Sequence, residues 1–342
     1  MKVCKNCFSD NEIIGFLTTR STAVGRCDFC GSTDEDLMDI EELYDFFKEF
    51  FNNFQTTTKG ESFIELVQRH WNIFRTNEIG IGIVDFIVNQ LDTNIHSAFE
   101  LVNFIPDILE NVHYWDIFKE KIKWERRYVI DINYLTEDLG WDKLLSSNST
   151  LDNSEKFYRA RLHHSENLHP YATNEMYGPT PEKATAGRAN PTGIPFLYLC
   201  DNKETVLYEI RASYLDELSI GTFVLNKFIN KEIVIADFTE KPSVFFQGDE
   251  IKNEVSNKIK AKLLKDLISN DLSKPMRRYD TEIDYIPTQF ICEFIKVFSG
   301  VHGIKFRSSL HTEGNNIVIF DQNIMVCESV ENVKVSNVSI SV

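Results

Sequence analysis

An α+β chain is what the sequence predicts: a cysteine-rich N-terminal segment and an all-helical stretch, then a domain built on a mixed, mostly antiparallel sheet. Three observations carry this. Two Cys-x2-Cys pairs stand within the first 35 residues. From about residue 36 to 145, apolar residues recur at helical spacing. Beyond about residue 155, short β-like runs alternate with helical patterns, which is the texture of an α+β fold. A length of 342 residues corresponds to about two domains. With 42% hydrophobic and 26% charged residues, the chain has the composition of a soluble globular protein.

The charge balance excludes one function class. There are 52 acidic against 36 basic residues, a net charge of −16. Broad, non-specific binding to nucleic acid needs clustered Lys and Arg, so it is not expected. A local basic site for an anionic ligand remains compatible with this charge. The longest apolar runs, such as Gly193–Cys200, fall far short of the ~20 residues that span a bilayer. Met1–Asp10 is polar and does not read as a secretory signal. The expectation is a cytoplasmic protein with no membrane partner.

The N-terminal pairs are Cys4-x2-Cys7 and Cys27-x2-Cys30, with 19 residues between them. A two-residue gap lets both thiolates of one turn face a single metal, and a second such turn completes a tetrahedron. Cys4, Cys7, Cys27 and Cys30 are therefore expected to hold a structural Zn²⁺. Gly31 follows the second pair, where a tight turn favours a residue that tolerates positive φ. Cys200, Cys292 and Cys327 stand alone, far along the chain.

Ser32-Thr33-Asp34-Glu35 resembles a capping box at a helix start. Ile40, Leu43, Tyr44, Phe47, Phe50, Phe51 and Phe54 then keep helical spacing. Phe63, Leu66, Val67, Trp71 and Phe74 repeat the pattern. Ile83–Leu91, Phe99–Val112 (broken at Pro106) and Ile117–Trp124 extend it. Helical ribonucleases often separate an Arg from a His by a few residues. Here Arg69 and His70 are adjacent, so a packing and recognition role is expected. Ser146–Glu155 is polar and aperiodic, and reads as a linker.

After it come β-like runs at Phe196–Cys200, Gly221–Leu225, Glu232–Phe238, Ile304–Phe306, Asn316–Phe320 and Ile324–Cys327. Helical patterns lie at Glu204–Ser213, Ile251–Ser269 and Thr288–Phe298. The tail beyond Glu328 is rich in Val, Ser and Asn, and would add an edge strand or stay loose. His163, His164 and His169 cluster without a matched carboxylate or thiol, and read as surface loop residues.

Four stretches present chemistry. Phe157-Tyr158-Arg159-Ala160-Arg161 offers a guanidinium fork suited to phosphate. Ala186–Pro195 holds two glycines and two prolines around Arg188 and Asn190, which fixes a specific loop before an apolar strand carrying Tyr198. In Glu204–Arg211, Thr205, Tyr208 and Glu209 share one helical face, with Val206, Leu207 and Ile210 on the apolar side. Asp284–Gln289 is a loop entering a helix with Pro287 in its first turn, and Gly303–Ser309 is a strand ending in two hydroxyls.

Taken in order, these pieces resemble the RES domain, a family named for its Arg, Glu and Ser. The resemblance covers roughly residues 155–322. The upstream part is similar to the Cys-pair and helical domain of HEPN–RES-type proteins. The expected partition is a cysteine segment at 1–35, a helical domain at 36–145, a linker at 146–155, a RES domain at 156–328 and a tail at 329–342. The resemblance implies an ADP-ribosyltransferase-like fold acting on NAD⁺, as a bacterial toxin or defence effector that depletes it. It also implies an antitoxin or regulatory partner and self-association.

Residue by residue, Arg159 matches the family Arg, Arg188 and Asn190 the loop, Tyr198 the strand Tyr, and Glu209 the Glu. Ser308 is chosen for the Ser, with Ser309 and Thr288 as the alternatives. Ala189 stands where the family often has an aromatic. The implied chemistry is cleavage of the nicotinamide–ribose bond, with water, phosphate or a macromolecule as acceptor. A catalytically inactive binding module is the third reading.

Overall fold

The computed structural model of the chain describes residues 1–146, 149–163, 169–229, 231–274 and 282–336. Two compact units emerge: Met1–Tyr114 with Lys241–Leu264, and Trp115–Glu240 with Lys265–Val342. Neither boundary coincides with the polar 146–155 stretch.

The first unit opens on β1 (Lys2–Cys4) and α1 (Asn11–Arg20), whose N-cap Asp10 accepts from the backbone N–H of Glu12 and Ile13. Next come β2 (Ala23–Gly25) and β3 (Glu35–Asp39), which build an antiparallel sheet in the order β1-β3-β2. The capping box expected at Ser32–Glu35 does not form. Asp34 turns the chain with φ +59°, and Glu35 enters β3 with its carboxylate accepting from Asn6 Nδ2 at 2.8 Å.

α2 (Tyr44–Phe51) puts Phe46, Phe47, Phe50 and Phe51 on its buried face. Phe54, Phe63 and Phe74 join them, all fully buried. Side chains of this size each contribute about 1.5–3 kcal/mol on burial, so the aromatic cluster dominates the unit's stability. The stretch is not all-helical, however. β4 (Phe54–Ser62) follows α2 and pairs, after α3 (Phe63–His70) and α4 (Asn77–Val88), with β5 (Leu101–Phe104). The run Thr56-Thr57-Thr58 is β-branched and suits a pleated strand better than a helix. Pro106 does not break a helix. It starts α5 (Pro106–Trp124), where its missing N–H costs nothing.

In the second unit, α6 (Trp141–Leu144) precedes an eight-stranded sheet. Its strands are β6 (Ser149–Thr150), β7 (Phe157–Leu162), β8 (Leu197–Cys200), β9 (Glu217–Leu225), β10 (Val234–Asp237), β11 (Gly303–Arg307), β12 (Asn315–Ile319) and β13 (Met325–Lys334). The spatial order is β13-β9-β7-β8-β12-β11-β10-β6. Only the β10–β11 pair is parallel. The expected linker thus donates β6, and the expected tail runs on as the edge strand β13. Phe157, Leu197, Leu199, Phe223, Ile317 and Ile319 form the core beneath the sheet.

Three further helices follow in the chain: α7 (Lys203–Glu209), α8 (Ile251–Ser273) and α9 (Ile286–Phe298). α7 is shorter than the pattern predicts. Arg211 adopts φ +52°, and Ala212 N–H donates back to Leu207 O at 3.0 Å, closing the helix in a Schellman-type turn. Glu209 is thereby left at the helix end.

Candidate active site and cysteine cluster

The four N-terminal thiols converge. Their Sγ atoms all lie within 4.8 Å of one another, with Cys4–Cys30 and Cys7–Cys27 each at 3.4 Å. A tetrahedral metal with S ligands at about 2.3 Å has sulfur–sulfur edges of about 3.8 Å, so the donor set fits a metal ion. Gly31 turns with φ +75°, as the spacing requires. Burial, then the bond to Cys30, pushes the Cys4 thiol up to about 12. Cys7 is raised and Cys27 lowered, each chiefly through the contact between the two sulfurs. Four adjacent thiolates need a cation to coexist.

The sheet builds the second site by register. Tyr158 pairs with Cys200, Cys200 with Asn316, and Asn316 with Phe306. Cross-strand partners share a face, so these four form one row across β7, β8, β12 and β11. All four line a cavity of about 340 Å³. α7 and its C-cap add Val206, Glu209 and Ile210, and Arg159, Arg188, Tyr198 and Tyr285 also line it.

Glu209 is held by one oxygen. Its Oε1 accepts from Ser308 Oγ at 2.7 Å and from Asn316 Nδ2 at 2.8 Å. Oε2 has no hydrogen-bond partner among the described residues. Ser308 itself is fixed, since its Oγ accepts the backbone N–H of Leu310 and His311. His311 in turn bonds Thr205 through Nδ1 at 2.9 Å and stacks on Tyr208. The β11–β12 turn is therefore tied to α7, and the Glu–Ser pair does not rest on one contact.

Arg159 emerges from β7 and donates from Nη1 to Tyr198 O at 3.2 Å. The residue is half-buried, but its Nε is fully shielded and lacks a partner. Burial, then the charge of Arg161, lowers its guanidinium to about 10. A shielded cation with spare donors and no carboxylate partner is a ready-made seat for an anion. Arg188 adds a second guanidinium, partly committed through Nη1 to Leu272 O at 3.0 Å.

The loop that presents Arg188 is held internally. Tyr198 OH donates to Asn190 Oδ1 at 2.7 Å and accepts from Ala189 N–H at 3.0 Å. Asn190 Nδ2 bonds the carbonyls of Thr185 and Pro191. Gln289, from α9, donates to the carbonyls of Gly187 and Asn190. Gly187 is required here, since a Cβ would lie 2.6 Å from Asn190 Oδ1 and 2.7 Å from Tyr198 OH. Burial raises the Tyr198 phenol, so it stays protonated as this donor.

The structure thus brings Arg159, Arg188, Tyr198, Glu209 and Ser308 to one region. It separates the hydroxyls left open by the sequence. Ser309 is exposed. Thr288 is buried, bonds Arg188 O at 2.6 Å, and lines a neighbouring cavity of about 140 Å³. Asn190 is spent on its own loop, which makes it a brace for Tyr198. Among the histidines, His163 bonds Ser219 at 2.8 Å and His169 is exposed, while His164 lies outside the described residues. The chemistry-bearing stretches of the sequence leave out Asn316, while Cys200 stands there only as a lone thiol and Tyr285 only within Asp284–Gln289. The usable signal was Asn316, an amide inside an apolar strand, because a buried amide there needs partners.

With this geometry in hand, the family comparison is decisive: the RES domain model matches residues 156–340. This chain belongs to the RES domain family. The match runs through β13, beyond the boundary expected at 328. A solved chain of the M. tuberculosis MbcT–MbcA toxin–antitoxin complex aligns with 56% of this RES protein and 91% of its own length. That alignment has 13% identity and a TM-score of 0.32. No match was found among curated proteins. Among the described residues, no helix of the RES protein is long and apolar enough to cross a membrane.

Proposed function

We propose that this RES protein cleaves the bond between nicotinamide and ribose in NAD⁺. One observation carries the reading: two guanidinium residues, Arg159 and Arg188, and a carboxylate with an unpartnered oxygen, Glu209, line the same 340 Å³ cavity. A cavity of that size is within the range of small-molecule sites. Its two cations and one anion suit a ligand with a pyrophosphate and a centre that becomes positive during reaction.

Breaking the glycosidic bond generates an oxocarbenium-like transition state. Glu209 Oε2 stabilises that charge at C1′, while Ser308 and Asn316 fix Oε1. Arg159, with Arg188, grips the pyrophosphate through charge-assisted bonds. The Tyr198 ring walls the nicotinamide. The acceptor is water, phosphate or a macromolecular side chain. NAD⁺ depletion would make the protein a toxin or defence effector held in check by a partner protein. The four cysteines would hold a structural Zn²⁺, closed to substrate.

The test uses the full chain and NAD⁺ labelled in its adenylate, with and without inorganic phosphate. The expected products are free nicotinamide and a small labelled ADP-ribosyl compound. Label retained on a protein band would favour transfer to a macromolecule. Intact NAD⁺ under all conditions would contradict the reading.

A further inference from the structure

The carboxylate at the centre of the site has a support that the Arg–Glu–Ser set does not contain. Asn316 contacts Glu209 with one end of its amide and Cys200 with the other. Nδ2 donates to Glu209 Oε1 at 2.8 Å, and Oδ1 accepts from Cys200 Sγ at 3.2 Å. Register enforces this arrangement, because Asn316 and Cys200 are direct partners in the antiparallel β12–β8 pair. Both side chains are more than nine-tenths buried, at 7% and 6% exposure. Neither end of the amide has water to fall back on, so each depends on its protein partner.

We propose that Cys200 and Asn316 are positioning residues for Glu209, with the Cys200 thiol acting as an orientation lock on the Asn316 amide. The inference rests on the function proposed above. An amide has two nearly isosteric ends, and rotation by 180° would turn Oδ1 toward Glu209 Oε1. That orientation sets two acceptors against each other. The carboxylate, which can only accept, sets this preference, and the thiol reinforces it by donating S–H to Oδ1 where the flipped amide would offer it only an N–H to accept. Burial, followed by the carboxylates of Glu209 and Asp201, raises the Cys200 thiol, so it keeps the proton it donates.

The lock works in a fixed order. The thiol holds Oδ1, the amide N–H₂ then faces Glu209, and Oε1 is pinned by it and by Ser308. Oε2 remains for the reacting centre. Cys200 and Asn316 both line the cavity, yet their polar atoms are turned to each other and to Glu209. Their effect is expected in turnover rather than in affinity.

Full-length Asn316→Ala, Cys200→Ala and Cys200→Ser are compared with the unaltered protein in nicotinamide release from NAD⁺. Loss of a hydrogen bond to a charged group corresponds to a roughly 10–100-fold fall in kcat for Asn316→Ala, with KM within about twofold. Cys200→Ala is expected to lose about tenfold in kcat. Cys200→Ser, which restores a donor, should regain most of it. A fall of equal size in Cys200→Ala and Cys200→Ser, or a change confined to KM, would overturn the lock. An independent readout is the side-chain amide resonance of Asn316 in selectively labelled protein. Its carboxylate-bonded proton should lie downfield and move upfield in both Cys200→Ala and Glu209→Gln. If that shift appears while the unaltered protein leaves NAD⁺ intact, the positioning stands and the proposed reaction fails. If NAD⁺ is cleaved but the resonance is unmoved in Cys200→Ala, the positioning fails alone.

Discussion

The cysteine cluster and the carboxylate cavity are built on opposite plans. In the cluster, four like groups face one another with all sulfurs within 4.8 Å, and nothing is left over for a ligand beyond one ion. In the cavity, the charged groups keep something spare. Glu209 commits Oε1 and keeps Oε2, and Arg159 commits Nη1 and keeps a shielded Nε. A structural site is complete when its own residues are assembled. An open site is short of partners, and the surrounding scaffold bears the cost of holding unsatisfied groups.

That contrast makes separable predictions. The largest effect belongs to the closed site. Structural zinc contributes on the order of 10–16 kcal/mol of folding free energy in small metal domains. Cys27→Ser should therefore remove the bound metal, expected at one per chain, and unfold the unit made of Met1–Tyr114 and Lys241–Leu264. Elemental analysis with circular dichroism checks it; a metal-free variant with an unchanged melt would break the comparison at this end.

The open site should respond in function before stability. Arg159→Lys keeps the charge but loses the planar fork, so KM for NAD⁺ should rise about 10–100-fold with kcat less affected. Steady-state kinetics decides, and an unchanged KM would remove Arg159 from the anion seat. A smaller effect belongs to the loop that presents Arg188. Gly187→Ala crowds Asn190 and Tyr198, with an expected loss of about 1–3 kcal/mol in stability, read by urea denaturation. A neutral result would mean the Tyr198–Asn190 brace is dispensable.

The two sites also differ in how far sequence could reach them. The thiols sit in two short turns, so spacing alone pointed to the cluster. The cavity is assembled from β7, the 186–195 loop, β8, α7, β11, β12 and the segment entering α9. Periodicity gave most of those elements but not their juxtaposition, which came from resemblance to a family. Asn316 escaped because its role depends on cross-strand register with Cys200, and register is not written in either strand alone. The choice among Ser308, Ser309 and Thr288 likewise needed coordinates, since adjacent hydroxyls at a strand end face opposite ways.

In the first unit the aromatic spacing predicts α2, whereas a helical pattern over 36–145 does not anticipate β3, β4 and β5. Apolar residues at strand ends, such as Phe54 and Phe104, extended the helical pattern by coincidence. The Thr run between them had β-branched character that spacing does not weigh. At α7 the error was one of length. A non-glycine left-handed residue, Arg211, ends the helix where no Gly or Pro marks a stop.

The central claim is that Glu209 does chemistry and does not merely complete the fold. Its most direct test is nicotinamide release from NAD⁺ by the unaltered protein and by Glu209→Gln, each with its thermal melt. Release is expected from the first, with a loss of at least about a thousandfold in the second and melting temperatures within a few degrees of each other. Comparable release by both folded proteins would contradict it.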